Sequence, residues 1–253
     1  MCRNPGILAA VASIVLLTSS CAKEGPTGPI GPSGPAYIGY ISGHVSLYDQ
    51  YGNKVLNNLD SVAIALGSNS VTGIDDTVSR PNSSGYYIYS NLYTGQYYIT
   101  AADTGYGATN TDNFEFVSGN LNKDIKLSAI PTFSLSFGSY YTSGSPNDSL
   151  VINCTPDEQI RSCVIFLNHA PSLVAGESYV LSYAKNIPAN SAQITAIIDS
   201  QELHAAGFAS GSMIYYTVFS HALNDQSSYE DLTTGNTVYT AVSYPTIDSA
   251  LAP

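Results

Sequence analysis

Tryptophan is missing from this 253-residue chain, methionine occurs twice, and histidine and cysteine occur four times each. The scarcity of these residues already removes several functions. The four histidines, His44, His169, His204 and His221, fall on separate predicted segments, and neither His-x-x-Glu nor His-Glu-x-x-His occurs, which excludes the usual zinc-peptidase pattern. Gly207-Phe-Ala-Ser210-Gly211 lacks the glycine two residues before the serine that a nucleophile elbow needs. Asp75-Asp76 and the carboxylates from Asp103 to Glu115 do not have the ligand spacing of a calcium loop and read as solvated turns. No catalytic residue, metal or cofactor is therefore expected. Basic residues are also few, 8 Lys and Arg against 19 Asp and Glu, a formal charge of −11 that repels phosphate backbones and excludes nucleic acid as a partner. The longest apolar run, Ile7 to Leu17, has 11 residues, too short for a membrane span of about 20. Sustained helical periodicity is absent, its nearest approach being Asp199 to Phe208.

What is present begins with that apolar run. Arg3 precedes it and Thr18-Ser19-Ser20 follows, the order of an export signal. Leu17-Thr18-Ser19-Ser20-Cys21 resembles the lipobox of bacterial lipoproteins, with Thr18 at the place where that family favours Leu. The resemblance implies cleavage after residue 20 and acylation of Cys21, which would make a membrane the first partner. More than one acyl chain would hold stably, because each buried CH₂ adds about 0.8 kcal/mol. Ala22-Lys23-Glu24 is similar to the surface-export signals of Bacteroidetes lipoproteins and lacks the Asp of an inner-membrane retention signal. Four Gly-Pro-x triplets then run from Gly25 to Ala36. They resemble collagen, in which glycine alone fits the axis of three wound chains, but four triplets favour an extended spacer of about 37 Å over a trimeric stem. Oligomeric state stays open. Beyond residue 20 the formal charge is −12, from 7 Lys and Arg against 19 Asp and Glu.

The 20 tyrosines and the abundance of Ser, Thr, Asn and Gly mark an exported all-β protein. Strand-like runs with intervening turns predict two tandem β-sandwich domains: 37–130 and 131–253, after a signal peptide (1–20) and a lipidated tether (21–36). In the first, strands are expected at Tyr37 to Tyr48, Ser61 to Leu66, Tyr86 to Leu92, Gln96 to Ala101, Asn113 to Val117 and Leu121 to Leu127. Gly43-x-Val45, Asp49-x-x-Gly52, Asn82-Ser-Ser-Gly85-Tyr-Tyr87-Ile-Tyr89, Asn91-Leu92-x-x-Gly95-x-Tyr97-x-Ile99 and Ser118-Gly119 before Asp124-Ile125-Lys126-Leu127 together resemble the carboxypeptidase regulatory-like domain, over about 90 residues. That resemblance implies a prealbumin-like sandwich that is not itself catalytic and serves as spacer or binding fold. Pro81-Asn82 replaces the family's usual Thr-Asp, and Asn82 can form the same turn. Alternation should place Tyr87, Tyr89, Tyr97 and Ile99 on one face.

The second domain should carry strands at Thr132 to Phe137, Ser149 to Cys154, Cys163 to Leu167, Ser178 to Tyr183, Ala192 to Ile198, Met213 to His221 and Thr237 to Tyr244. Its spacing is loosely similar to immunoglobulin-like or fibronectin type III modules. Cys154 and Cys163 flank an apparent turn, and in an exported chain a disulfide between them is the natural pairing; two buried free thiols on opposite faces are the alternative. Four Asp-(Ser/Thr)-apolar triplets, at Ser61, Thr77, Ser149 and Ser249, resemble the O-glycosylation sites of exported Bacteroidetes proteins. Tyrosine rings stack on pyranose faces, so a glycan ligand is conceivable, although the absence of Trp weighs against an aromatic platform. The reading is a lipid-anchored module at the outer membrane or cell surface that binds a protein or glycan. The alternatives are a secreted hydrolase with a second-domain site involving His204 or His221, and a subunit trimerised by its stem.

Overall fold

The computed structural model describes residues 39–68, 77–111, 113–132, 135–143, 148–155, 162–171, 179–186, 193–243 and 246–253. The export signal, Cys21, the Gly-Pro triplets and Asp75-Asp76 lie outside them. Residues 37–253 form one contact unit. Among the described residues the chain is nearly all β, nineteen strands with one short α-helix, and it buries two separate apolar cores between facing sheets.

The first sandwich is organised around β1 (Gly39–Tyr48). β5 (Tyr86–Leu92) and β2 (Lys54–Val55) pair with it antiparallel, while β9 (Gly119–Asn122) and β10 (Ile125–Ser128) pair with it in parallel. The expected single strand from Leu121 to Leu127 is thus two strands. Its break at Lys123-Asp124 lies against Gly43, where a Cβ would stand 1.9 Å from the Lys123 carbonyl oxygen. Only glycine permits that approach, and the backbone N–H of His44 then donates to Asp124 Oδ1 at 2.9 Å. The turn before β5 follows the Asn82 expectation, since Asn82 Oδ1 accepts from the backbone N–H of Ser84 and of Tyr86, and Gly85 takes φ +84°.

The facing sheet has the order β4 (Thr77–Ser79), β3 (Ala63–Ser68), β6 (Gly95–Ala102), β7 (Thr109–Asn110), with β8 (Phe114–Phe116) also on β6. Alternation along these strands sends Ile64, Leu66, Tyr97 and Ile99 inward, where they meet Ile41, Leu47, Tyr87, Tyr89, Ile125 and Leu127. The tyrosine hydroxyls that enter this core are all satisfied by backbone carbonyls: Tyr87 donates to Lys123, Tyr89 to Ile64 at 2.6 Å and Tyr97 to Tyr93 at 2.9 Å. Burial pushes all three phenols up, that of Tyr89 to about 12.

The second sandwich faces β11 (Ser136–Thr142), β12 (Ser149–Thr155) and β15 (Ile194–Asp199) against β14 (Leu181–Asn186), β13 (Ser162–Asn168), β16 (Met213–Ser220) and β19 (Thr246–Leu251). Asp199 ends β15 and caps α1 (Ser200–Ala205) by accepting from the Glu202 N–H at 2.8 Å, so the weak helical signal near residue 199 is real but short. Every residue of β13 is buried. One face joins the inter-sheet core; the other, with Val164, Phe166 and the neighbouring Phe219 of β16, is covered by Tyr179, Tyr239 and Val242. Tyr239 belongs to the excursion after β16, which carries the small hairpin β17 (Tyr229–Glu230) and β18 (Thr237–Val238). The strand expected at Thr237 to Tyr244 is therefore two residues long and serves as a cover rather than as a member of either sheet.

Candidate functional site

The outer face of the β4-β3-β6-β7 sheet holds a groove. β3 alternates large inward residues with Ala63, Ala65 and Gly67 outward, and on β6 the outward positions are Tyr98, Thr100 and Ala102. Where a solvent-facing strand would ordinarily carry long polar side chains, methyl groups leave a depression. Register aligns Val78, Ala65, Thr100 and Asn110 as one row across four strands. At one end Tyr98 lies over Gly67, where a Cβ would be 2.2 Å from its ring. Tyr229 of the β17–β18 hairpin also lines the cavity, so both sandwiches contribute. Its volume is about 290 Å³, near the low end for small-ligand sites. Among the described residues no charged side chain lines it and the buried Asn110 Oδ1 has no hydrogen-bond partner, while Val78 is 63% exposed at its rim.

A second cluster sits where the two sandwiches meet. His221 Nδ1 is 3.3 Å from Ser162 Oγ, and His221 Nε2 is 3.2 Å from Asp225 Oδ2. This brings together a Ser-His-Asp constellation that the spacing of the residues did not reveal. Its chemistry is structural. Ser162 is 1% exposed and also donates to the Lys185 carbonyl at 3.3 Å, so among the described residues the hydroxyl is enclosed and faces no cleft in which a substrate carbonyl could sit. Asp225 Oδ1 accepts from both the amide and the hydroxyl of Ser227. The Ser227 hydroxyl in turn accepts from the Ser128 amide at 3.0 Å, and the Gln226 amide donates back to Ser128 Oγ at 2.9 Å. The chain Ser162–His221–Asp225–Ser227–Ser128 thereby pins the end of β10 to the second sandwich, alongside the bond from Leu223 N–H to the Gln50 carbonyl. Burial opposes ionisation of Asp225, but the bonds from His221 and Ser227 outweigh it and hold the carboxyl below the usual carboxylate range.

The remaining expected site residues are scattered. His44 lies tilted against the Tyr86 ring, His169 against that of Phe208, and His204 is exposed on α1. Cys154 and Cys163 are both fully buried thiols, on β12 and β13, strands of opposite sheets that do not pair with each other. The Cys163 thiol hydrogen-bonds to the Cys154 sulfur, and that bond together with burial holds its proton far above the usual thiol range. Ser61 Oγ lies 2.6 Å from both the Asn58 carbonyl oxygen and Asp103 Oδ2, either of which accepts its single proton, while Ser149 is buried in the central strand β12. Thr77 and Ser249 lie exposed on β4 and β19. Among the described residues no three His, Cys, Asp or Glu side chains gather as a metal site, and no helix is long and apolar enough to cross a membrane.

No protein-family model and no curated protein matches the chain. Among solved structures, a candidate carbohydrate-binding protein from Bacteroides uniformis is similar at 15% identity and TM-score 0.30, over 86% of this chain and 100% of that one. A DUF3823 family protein from Parabacteroides merdae is similar at 9% identity and TM-score 0.28, over 85% and 98%. The major pilin SpaD of Corynebacterium diphtheriae is similar at 10% identity and TM-score 0.30, over 83% and 66%.

Proposed function

We propose that the chain is a non-enzymatic lipoprotein of the bacterial cell envelope, held by acylated Cys21 on the Gly-Pro spacer, whose two β-sandwich domains (37–130 and 131–253) present a ligand-binding groove outside the cell. The first domain is of the carboxypeptidase regulatory-like kind. The observation that carries the reading is the methyl-floored, uncharged groove under Tyr229, a concave site of the kind that small ligands occupy. The ligand is a glycan. An extended peptide would add to a strand edge, whereas this floor is a sheet face whose backbone groups are already paired.

A glycan array probed with the chain carrying Cys21→Ala, and with Ala65→Leu added to fill the groove, tests this. Binding to a defined set of glycans that Ala65→Leu abolishes supports the reading, and binding unaffected by that change overturns it. The anchor is tested separately by metabolic labelling with palmitate: label should enter the parent and be absent from Cys21→Ala, and equal labelling of both would contradict acylation there.

In the oxidising envelope the Cys154–Cys163 pair closes to a disulfide that ties the two sheets of the second sandwich together. Closing a loop of about ten residues stabilises by about 2.5 to 3 kcal/mol in the chain-entropy picture. The expected result is a chain refractory to thiol alkylation until reduced in denaturant, and a lower midpoint of urea unfolding after reduction. Two alkylatable thiols in the unfolded, unreduced protein would refute the bond. O-linked sugars on Ser61, Thr77, Ser149 or Ser249 would be an accompanying modification, for which the exposed positions Thr77 and Ser249 are the better acceptors.

A further inference from the structure

Resting on that reading of the groove, we infer that the sugar it takes is an uncharged N-acetylated hexosamine, whose acetamido group lies on the alanine floor. Three features of the cavity converge on this chemistry. The outward methyls of Ala63, Ala65 and Ala102 form an apolar bed, with the Thr100 side chain opposite Ala65. A hexose presenting hydroxyls alone would have to strip water from each of them over a floor that offers almost no partners, whereas an acetyl methyl is at home there. At the end of the Val78–Ala65–Thr100–Asn110 row stands an amide whose buried oxygen meets no donor among the described residues. The terminal torsion of an Asn side chain is soft, so a small turn of Asn110 brings the oxygen to a ligand N–H, and the acetamido nitrogen supplies one next to the methyl. Tyr229 then offers a ring for the pyranose face and marks the side on which the second sandwich closes over the sugar. Charge completes the selection, since no cation lines the groove among the described residues and the chain carries a net charge of −11, which disfavours uronic and sialic acids.

Calorimetric titration of the chain carrying Cys21→Ala with di-N-acetylchitobiose and with cellobiose, which differ by the acetamido groups, tests the inference. The expected result is saturable binding of the N-acetylated disaccharide, at least tenfold weaker binding of cellobiose, loss of both in Ala65→Leu, and a tenfold or greater loss in Tyr229→Ala. Ile197→Ser, on the opposite sandwich, should leave binding unchanged. Circular dichroism melts of each variant separate misfolding from lost contact, and Tyr229→Ala keeps the test decisive if Ala65→Leu fails to fold. Equal affinity for the two disaccharides, lost in Ala65→Leu, would overturn the acetamido assignment and leave the groove as a glycan site. Failure of both disaccharides to bind, alongside an array glycan whose binding is lost in Ala65→Leu, would overturn that assignment in the same way. Chitobiose binding that survives both groove substitutions would overturn the acetamido assignment and the groove reading together.

Discussion

Replacing Asp225 by alanine should lower the stability of the 37–253 unit by about 3–5 kcal/mol, the cost of removing a buried carboxylate that accepts three hydrogen bonds. The carboxylate is 1% exposed and satisfies three donors, so its loss leaves the His221 ring and the Ser227 amide and hydroxyl without their acceptor inside the seam. A thermal midpoint lower by roughly 10 °C is expected for a unit of this size. The pH dependence gives the effect its signature. Because the Asp225 carboxyl is held below its ordinary value, its stabilising contribution is present above the unfolded-state pKa of about 3.9 and is lost as pH falls through the lower folded value. The acid limb of the parent's stability curve should therefore flatten in Asp225→Ala. A variant that melts within 1 °C of the parent would show that the seam holds nothing together. The same substitution separates a pin from a catalytic triad: a pin predicts lost stability with no hydrolytic activity to lose in the parent.

Alkaline unfolding should be abrupt, beginning just above pH 10. Burial raises the phenols of Tyr87, Tyr89 and Tyr216, with Tyr89 and Tyr216 pushed up to about 12, while an unfolded tyrosine ionises near 10. Folded-state values raised in this way mean that the stability is fully present below pH 10 and is lost as pH climbs towards the folded values. Each such group contributes a slope of about 1.4 kcal/mol per pH unit, so three contribute about 4, which exhausts a typical domain's stability of 5–15 kcal/mol within a few pH units. Tyrosinate absorbance and far-UV circular dichroism should change together for the buried rings. Smooth titration of all 20 tyrosines near pH 10 with the β signal intact would contradict the burial described for them.

Much of the first sandwich was legible because its signals are local. The Tyr86 to Leu92 strand, the Asn82 turn and the inward placement of Tyr87, Tyr89, Tyr97 and Ile99 follow from a positive-φ glycine and a period of two. The split between β9 and β10 was not, because it depends on what a distant Gly43 allows to approach. Strands of two or three residues, such as β2, β4 and β7, carry too few side chains to show a period. In the second sandwich, the unbroken apolar run Cys163-Val-Ile-Phe-Leu167 is a sign of a strand covered on both faces; it shows that a cover exists but not that residues 222–243 provide it. The groove was half-visible in the alternation of Ala63 and Ala65 with Ile64 and Leu66. Its wall, Tyr229, lies more than 150 residues away in sequence, as does the link from Gln50 to Leu223. The Ser162–His221–Asp225 cluster was hidden for the same reason: only the pairing of β13 with β16 sets Ser162 beside His221.

The central claim is that ligand enters between the alanines of β3 and β6. Methyl-resolved NMR of the Cys21→Ala chain with labelled alanine, titrated with di-N-acetylchitobiose, addresses it most directly. The methyls of Ala63, Ala65 and Ala102 should shift on binding, while those of Ala196 and Ala252, buried in the second core, stay still. Saturating disaccharide that leaves the three groove methyls unmoved would contradict the account.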